Sequence, residues 1–438
     1  MNTKPFIRVK HIAFTDIEGG AARAAFRVHK SLIKFQRQLR INSSMRVIKK
    51  FSNEVTVHGG NPQNSNLKFF NQKILNKFSR ILYKSKNPNY YSTAWPSTGL
   101  GKELNKDYKE NKFDLLNLHW LGDRTLSIKE IGNLKMPLTW RLADQWAMCG
   151  CEHYADNFND VEEEKFIKGY EINSDIKYLI DLNRIFWKQK VRSWKNKNIN
   201  IIAPTRWIAE CAKKSVLFNK SLISVIPTPV DLVKWSPVDK LKARKKLGLD
   251  PYKKILLFGA FGGSSDFRKG GDLLLKALNL INNNQYLNLK NDLELIVFGK
   301  TENYVEIPKN IRLTNTGIIK DDNLLRLYYS AADVFILPSR QDNLPGTGME
   351  SQACGTPVVA FDCCGMPDIV NHRQTGSLAQ PYDPRSLFHE INWVLEDENR
   401  LKKLSIASRR SAENKWCQEK ISYLFNDHYL KVLEDFKK

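Results

Sequence analysis

The sequence predicts an α/β protein made of two Rossmann-like, doubly wound parallel-sheet domains. Three observations predict it. Short apolar, β-prone runs recur along the chain with helical patterns between most of them, the alternation that produces parallel βαβ units. The two-proline segment IPTPVD, residues 226–231, interrupts that alternation near mid-chain and reads as an interdomain hinge, and a second set of strands starts with KKILLFGAF at 253. The 438 residues are 42% hydrophobic, enough for more than one sizeable core.

In the first domain, 1–228, strands are expected at 6–14, 44–50, 113–119, 137–143, 198–203 and 222–227. The first helix, from about Ala21 to Leu39, turns Arg23, Arg27, Lys30, Lys34 and Arg37 onto one face and Ala22, Ala25, Phe26, Leu32 and Ile33 onto the other. The second domain, 229–415, continues through DLELIVFGK, IRLTNTG, DVFILPS and PVVAFD, with helices such as GGDLLLKALNLI and DDNLLRLYYSAA between strands. From about Asp383 the pattern is helical to the end, and 416–438 forms a terminal helix.

Net charge is +23, and its distribution is uneven. Residues 1–100 carry 18 Lys and Arg against Asp16, Glu18 and Glu54. Segment 66–86, NLKFFNQKILNKFSRILYKSK, holds no acid. Lys68, Lys73, Lys77, Arg80 and Lys84 alternate there with Phe70, Ile74, Phe78, Ile81 and Leu82 at helical spacing. A basic amphipathic helix of this kind reads as a membrane-surface element facing an anionic leaflet. The chain shows no zinc-finger spacing, helix-turn-helix signature or RNP-like strand, so nucleic acid is not the expected partner. No run of 18 apolar residues offers a membrane span. The N-terminus MNTKPFIRVKHIAF lacks the long apolar stretch of a secretion signal. Seven cysteines, with Cys363 and Cys364 adjacent, fit a reducing cytosol better than a disulfide framework. The expected location is therefore cytoplasmic, peripheral on the inner face of the membrane.

The most informative stretch is 337–361, LPSRQDNLPGTGMESQACGTPVVAF. It reads as strand, loop, helix, strand. Pro338 ends the first strand, Pro345, Gly346 and Gly348 fill the loop, Glu350 rides a short helix, and Gly355 stops that helix. Ligands of parallel sheets bind outside the carboxyl ends of the strands, facing helix N-termini. Free amides at a helix start suit an anion, and the carboxylates Asp342 and Glu350 suit neutral hydroxyls. The pattern asks for a phosphorylated sugar ligand.

This run resembles the C-terminal signature of glycosyltransferase family 4, retaining enzymes of GT-B fold. The usual form is Pro-Ser, two residues, Glu, seven residues, Glu-Ala, then Cys-Gly-Thr-Pro-Val-Val. Here Asp342 stands for the first Glu and Ser351 for the Ala, and Asn343-Leu344-Pro345 looks like a branch involved in exopolysaccharide or colanic-acid-type synthesis. The resemblance implies two Rossmann-like domains facing a cleft, the second binding a nucleotide-diphosphate sugar. It implies Glu350 on the ribose hydroxyls, Asp342 facing the donor sugar, and backbone amides around Leu344 to Thr347 meeting phosphate or sugar oxygens, with Asn343, Pro345 and Gly346 part of the same donor-binding loop. The implied acceptor is a glycan or polyprenyl-linked glycan in surface-polysaccharide synthesis, and the terminal helix is expected to cross back to the first domain.

Other landmarks resemble the same family. DIEGGAARAAFRVHKSL, 16–32, places Gly19 and Gly20 where backbone can approach a ligand closely. LLNLHWLGD puts His119 at a strand end. In PLTWRLADQWAMCGCEHY, 137–154, Ala143 takes the place of a usual His, while Asp144, Trp146, Gly150, Cys151, His153 and Tyr154 match. His119 or Asp144 is then expected to serve in place of that His. Cys149, Cys151 and His153 do not form a common zinc pattern, so no metal or other cofactor is expected. In FGAFGGSSDFRKGGDLLLKAL, 258–278, Lys269 matches the lysine that meets the donor diphosphate. Ala260 replaces an arginine, and Arg268 is expected to supply the second cation. Two other classes stay open: an NDP-sugar epimerase of the same fold, marked by donor-only turnover with inversion at C2, and a non-catalytic sugar-nucleotide-binding scaffold.

Overall fold

A computed structural model of the chain describes residues 6–60, 92, 98–122, 125–155, 165–170, 181–260, 266–283, 293–299, 308 and 311–438. It divides into two compact units, one of Met1–Ile226 with Glu419–Lys438 and one of Pro227–Gln418.

The first unit is built on a seven-stranded sheet of β1 (Ile7–Thr15), β2 (Ile41–Lys49), β3 (Val57–Gly60), β4 (Leu115–Leu118), β5 (Leu138–Arg141), β6 (Asn200–Ala203) and β7 (Ile223–Val225), in the order β3-β2-β1-β4-β5-β6-β7. Every neighbouring pair is parallel. Because side chains alternate along a strand, β1 sends Ile12 to one core and Val9 to the other. β4 splits in the same way, Leu116 and Leu118 to the first core and Leu115 to the second. The second core is closed by the helix Gly20–Lys34 and by the last helix of the chain, Gln418–Lys437, through Val28, Leu32, Ile421, Phe425, Tyr429 and Val432.

The second unit carries β8 (Lys254–Ala260), β9 (Leu293–Gly299), β10 (Arg312–Gly317), β11 (Val334–Leu337), β12 (Val358–Phe361) and β13 (Gly376–Ala379), in the order β10-β9-β8-β11-β12-β13, again all parallel. Both sheets are doubly wound. Strand order reverses between β1 and β4 in one and between β8 and β11 in the other, and such reversals are where ligands bind.

Two strands escaped the sequence pattern. β3 ends in Gly59-Gly60 and β13 is only Gly-Ser-Leu-Ala, so neither shows a β-prone run. The first helix also differs. It breaks at Phe35, resumes over Gln36–Leu39, and ends on Arg40 in the left-handed conformation with φ 54°. No helix among the described residues is long and apolar enough to cross a membrane. The expected membrane-facing residues Lys68, Lys73, Lys77, Arg80 and Lys84 lie outside the described residues.

Candidate functional site

The carboxyl ends of β8 and β11 lie side by side, since Val334 pairs with Leu256 and Ile336 with Phe258. Past β8 the chain makes a turn at Phe267–Lys269, initiated by Asp266, whose side chain accepts from the Arg268 amide. Gly270 closes the turn with φ 70°. A Cβ there would stand 1.7 Å from the Pro338 carbonyl oxygen, so only glycine lets this turn press against the exit of β11. Arg340, on that exit, ties the two loops together. Its guanidinium donates to the Phe267 carbonyl and to both Asp272 oxygens at 2.6–2.7 Å and lies 3.6 Å from the Phe267 ring centre.

This clamp brings Lys269 and Arg268 to Asp342, 73 residues away in the chain. Lys269 Nζ donates to Asp342 Oδ2, and an Arg268 guanidinium nitrogen lies 3.6 Å from the same oxygen. Arg268 also donates to the Gln341 carbonyl at 2.8 Å. Burial alone would raise the Asp342 carboxyl, but Lys269 and then Arg268 outweigh it and hold it below the ordinary carboxylate value. Burial lowers the Lys269 ammonium, and Asp342 opposes that only in part.

Sequence reasoning pointed Asp342 at the donor sugar. In the structure its carboxylate pairs with the two cations. The physical reason is burial: Asp342 is 8% exposed, and a carboxylate held there needs charged partners. Asn343 donates its amide to Asp342 Oδ1 at 3.0 Å. After Leu344 and Pro345, the helix Gly346–Ala353 starts without a side-chain cap, so the amides of Gly346 and Thr347 stand at its positive end. Glu350, one turn in, is 3% exposed, and the Tyr329 hydroxyl donates to its Oε2 at 3.0 Å. Arg340, Asp266 and Tyr329 were not legible as site residues, since their partners come from other strands and turns.

In the first unit, Gly19 sits at the start of the helix Gly20–Lys34 with φ 89°, and a Cβ on Gly19 or Gly20 would meet nothing within 4 Å. The conformation requires glycine at 19, and the space beside both is open. Asp16, just before, is fully buried. It fastens the strand exit to 51–52 by accepting the Phe51 and Ser52 amides at 2.8–2.9 Å.

His119 and Asp144 are both engaged by neighbouring side chains. His119 is 1% exposed, and its Nε2 is 2.9 Å from His11 Nδ1. Burial, then the neighbouring His11, pushes its imidazole well below the ordinary value, which leaves a neutral ring in the interior. The Asp144 carboxylate is already engaged by three N–H donors. Oδ1 accepts the Trp146 amide at 3.0 Å, and Oδ2 accepts Trp120 Nε1 at 3.0 Å and His153 Nδ1 at 2.7 Å. A carboxylate so occupied orients its neighbours. Cys149, Cys151 and His153 diverge: Cys149 is buried, Cys151 Sγ faces the Leu182 carbonyl at 3.6 Å, and His153 goes to Asp144. All seven cysteines are free thiols.

Residues 239–411 match the family model described as glycosyl transferases group 1. A D-inositol 3-phosphate glycosyltransferase of Segniliparus rotundus is 32% identical over 195 residues, 42% of this chain and 42% of that protein. The match thus spans well under two thirds of the curated relative. Two solved structures are similar over nearly the whole chain. Sucrose-phosphate synthase from Thermosynechococcus elongatus superposes with a TM-score of 0.65 at 17% identity, covering 98% of this chain and 100% of that one. Anabaena Alr3699/HepE in complex with UDP-glucose superposes with a TM-score of 0.61 at 14% identity, covering 97% and 99%. By fold the chain is therefore a GT-B protein, and its residues 239–411 match the group 1 glycosyl transferases.

Proposed function

We propose that the chain is a glycosyltransferase that moves a sugar from a nucleotide-diphosphate donor, with retention at the anomeric carbon, onto a glycan or lipid-linked glycan of a surface polysaccharide. The observation that carries this reading is the Lys269–Asp342–Arg268 cluster at the strand-order reversal of the second sheet, beside the uncapped start of the helix Gly346–Ala353. Two cations and a helix N-terminus converge where an anion binds. A departing diphosphate takes Lys269 and Arg268 from Asp342, and Asp342 keeps them aligned until then. Glu350, fixed by Tyr329, meets the ribose hydroxyls. With cations in place of a metal, transfer runs without a divalent ion, and the leaving phosphate assists deprotonation of the acceptor hydroxyl on the same face. The UDP-glucose complex of a structural neighbour supports a nucleotide-sugar donor. The named relative favours one second reading for the acceptor alone, an inositol phosphate. The basic segment 66–86 is proposed to hold the enzyme on an anionic membrane surface.

Calorimetry with UDP, GDP and ADP, followed by transfer assays in EDTA with radiolabelled nucleotide sugars, tests the proposal. Binding of one nucleoside diphosphate and metal-independent transfer with retained anomeric configuration support it. Binding of none, or strict dependence on magnesium or manganese, overturns it. Transfer to an inositol phosphate in preference to a lipid-linked glycan selects the second acceptor. Co-sedimentation with anionic but not neutral vesicles tests the membrane surface.

A further inference from the structure

The second unit has a groove on the side of its sheet opposite Asp342. Asp342 follows the carboxyl end of β11, whereas the turn 371–375 leads into the amino end of β13. Between that turn and the helix Glu398–Trp416 lies a groove of about 540 Å³, the size of a small-molecule site. The helix lines it with Lys403, Ile406, Arg410 and Ser411, which share one helical face, and the turn lines it with Asn371 and Gln374. The turn is pinned, so the groove is preformed. Lys415 Nζ donates to the Asp368 carbonyl at 3.1 Å and to Asn371 Oδ1 at 2.9 Å. The Asn371 amide donates to Thr375 Oγ1 at 3.0 Å, and Ser408 Oγ donates to the Thr375 carbonyl at 3.1 Å.

The lining carries one sign of charge. Among the described residues no acid borders it, and the exposed Lys403 and Arg410 have no ion pair. Seven residues of helix set these two cations about 10 Å apart along its axis. An anion such as a phosphate fits against either. Between them Ile406, 57% exposed, offers an apolar floor for the carbon face of a sugar ring. Ser411 is only 9% exposed, and among the described residues its hydroxyl has no hydrogen-bond partner, although a helical serine can bond the carbonyl four residues back. That hydroxyl and the amides of Asn371 and Gln374 suit sugar hydroxyls. No aromatic residue borders the groove to stack a nucleobase.

The two walls of the groove also hold the far end of the helix that carries Glu350. From the turn, Thr375 Oγ1 accepts from Gln352 Nε2 at 3.1 Å. From the long helix, Ser405 donates to the Gly355 carbonyl at 2.5 Å and Arg409 to the Ala353 carbonyl at 2.7 Å. A ligand bridging turn and helix acts on both supports at once. We propose that the groove is a second binding site, for a phosphorylated sugar, and that its occupancy sets how tightly the helix Gly346–Ala353 and its neighbours take a nucleoside diphosphate. Only this second effect rests on the glycosyltransferase reading; binding in the groove does not.

The test titrates the full chain by calorimetry with glucose 6-phosphate, mannose 6-phosphate, galactose 1-phosphate, glucose and inorganic phosphate. Saturating UDP, or GDP or ADP if the chain prefers it, is present to fill the site at Lys269. One sugar phosphate is expected to bind one-to-one, about tenfold or more tighter than phosphate or glucose. The double variant Lys403→Glu, Arg410→Glu changes only exposed side chains and should weaken it at least tenfold. Lys402→Glu, the same charge change on the same helix outside the groove, should alter it less than twofold. Ser411→Ala should weaken it about threefold without lowering the melting temperature. The bound sugar phosphate should shift nucleotide affinity about threefold or more, with the same factor in the reciprocal titration, and the double variant should abolish that shift. No binding by any of the three sugar phosphates overturns the site, and so does binding that the double variant leaves intact. Phosphate binding as tightly as the sugar phosphates overturns the sugar. Unchanged nucleotide affinity overturns the coupling. If the chain binds no nucleotide, the glycosyltransferase reading fails instead, and the sugar-phosphate titration of the parent against the double variant, run without nucleotide, still decides the groove.

Discussion

The two units differ in how they bury ionisable groups. The first buries several neutral histidines, beside single charges such as Asp16 and Lys190 that are held by backbone groups. His11 pairs with His119, His29 with the Ser43 and Thr56 hydroxyls, and His428 with those of Thr139 and Ser224. The second buries charge against charge. Arg244 meets Asp333 at 2.7 Å with Lys240 on the other oxygen, Arg340 meets Asp272, and Lys269 and Arg268 meet Asp342. Neutral pairs tolerate burial as long as they stay neutral, so they are vulnerable to protons. Charge pairs tolerate burial as long as both partners remain, so they are vulnerable to substitution and, at the site, open to exchange for a ligand's charge.

Acid should separate the units most. Burial sets His29 and His428 at about 4, and His11 and His119 well below the ordinary 6.5. The unfolded chain then binds more protons between pH 6.5 and 4. The histidines' contribution is present above 6.5 and lost as pH falls through that window. Each of the two with a value near 4 removes about 3 kcal/mol across it. The second unit has only the exposed His372 and His389. Hydrogen exchange followed by peptide mass spectrometry should show the first unit loosening between pH 6.5 and 4 while the second keeps its protection. Equal loosening would break the comparison.

Removing one charge should hurt the second unit next most. Arg244→Ala strips Asp333 of its buried partner and leaves the carbonyls of Pro251, Lys253 and Ala331 without a donor. A loss of about 3–5 kcal/mol is expected on chemical denaturation. A loss below 1 kcal/mol would mean that Lys240 alone suffices.

At the site itself, Lys269→Ala should weaken a nucleoside diphosphate by about 10–100-fold, the worth of one charged hydrogen bond, and leave the nucleoside unaffected. Asp342→Asn sharpens the point. If Asp342 serves to hold the cations, diphosphate affinity should change by less than fivefold while turnover falls through misalignment. A selective loss of donor-sugar binding would return Asp342 to the sugar. The smallest effect is expected from Tyr329→Phe, which removes one hydrogen bond to Glu350 and should lower stability by about 1 kcal/mol. A larger drop in nucleotide affinity than in stability would show that Tyr329 aims Glu350.

Most strands were legible because buried parallel strands are continuous apolar runs, as in ILLF of β8 and VFIL of β11. β3 and β13 were not, because glycine-containing edge segments lack that signal. Lys269, Arg268 and Asp342 were legible as residue types at motif spacing. Their mutual pairing was not, because it depends on β8 and β11 becoming neighbours across a crossover of some 70 residues. His119 was legible as a strand-end histidine, but its pairing with His11 was not, because that depends on β1 and β4 becoming neighbours.

By itself the sequence determined the α/β alternation and the strand–loop–helix run that carries Asp342 and Glu350. Each of these follows from local hydrophobic period and from proline and glycine, which act within a few residues. Only the tertiary structure decided that Asp342 faces cations rather than open space and that Asp144 is spent on Trp120, Trp146 and His153. Those outcomes depend on which strand ends the sheet order brings together and on how little water remains there. Neither property belongs to any local stretch of chain.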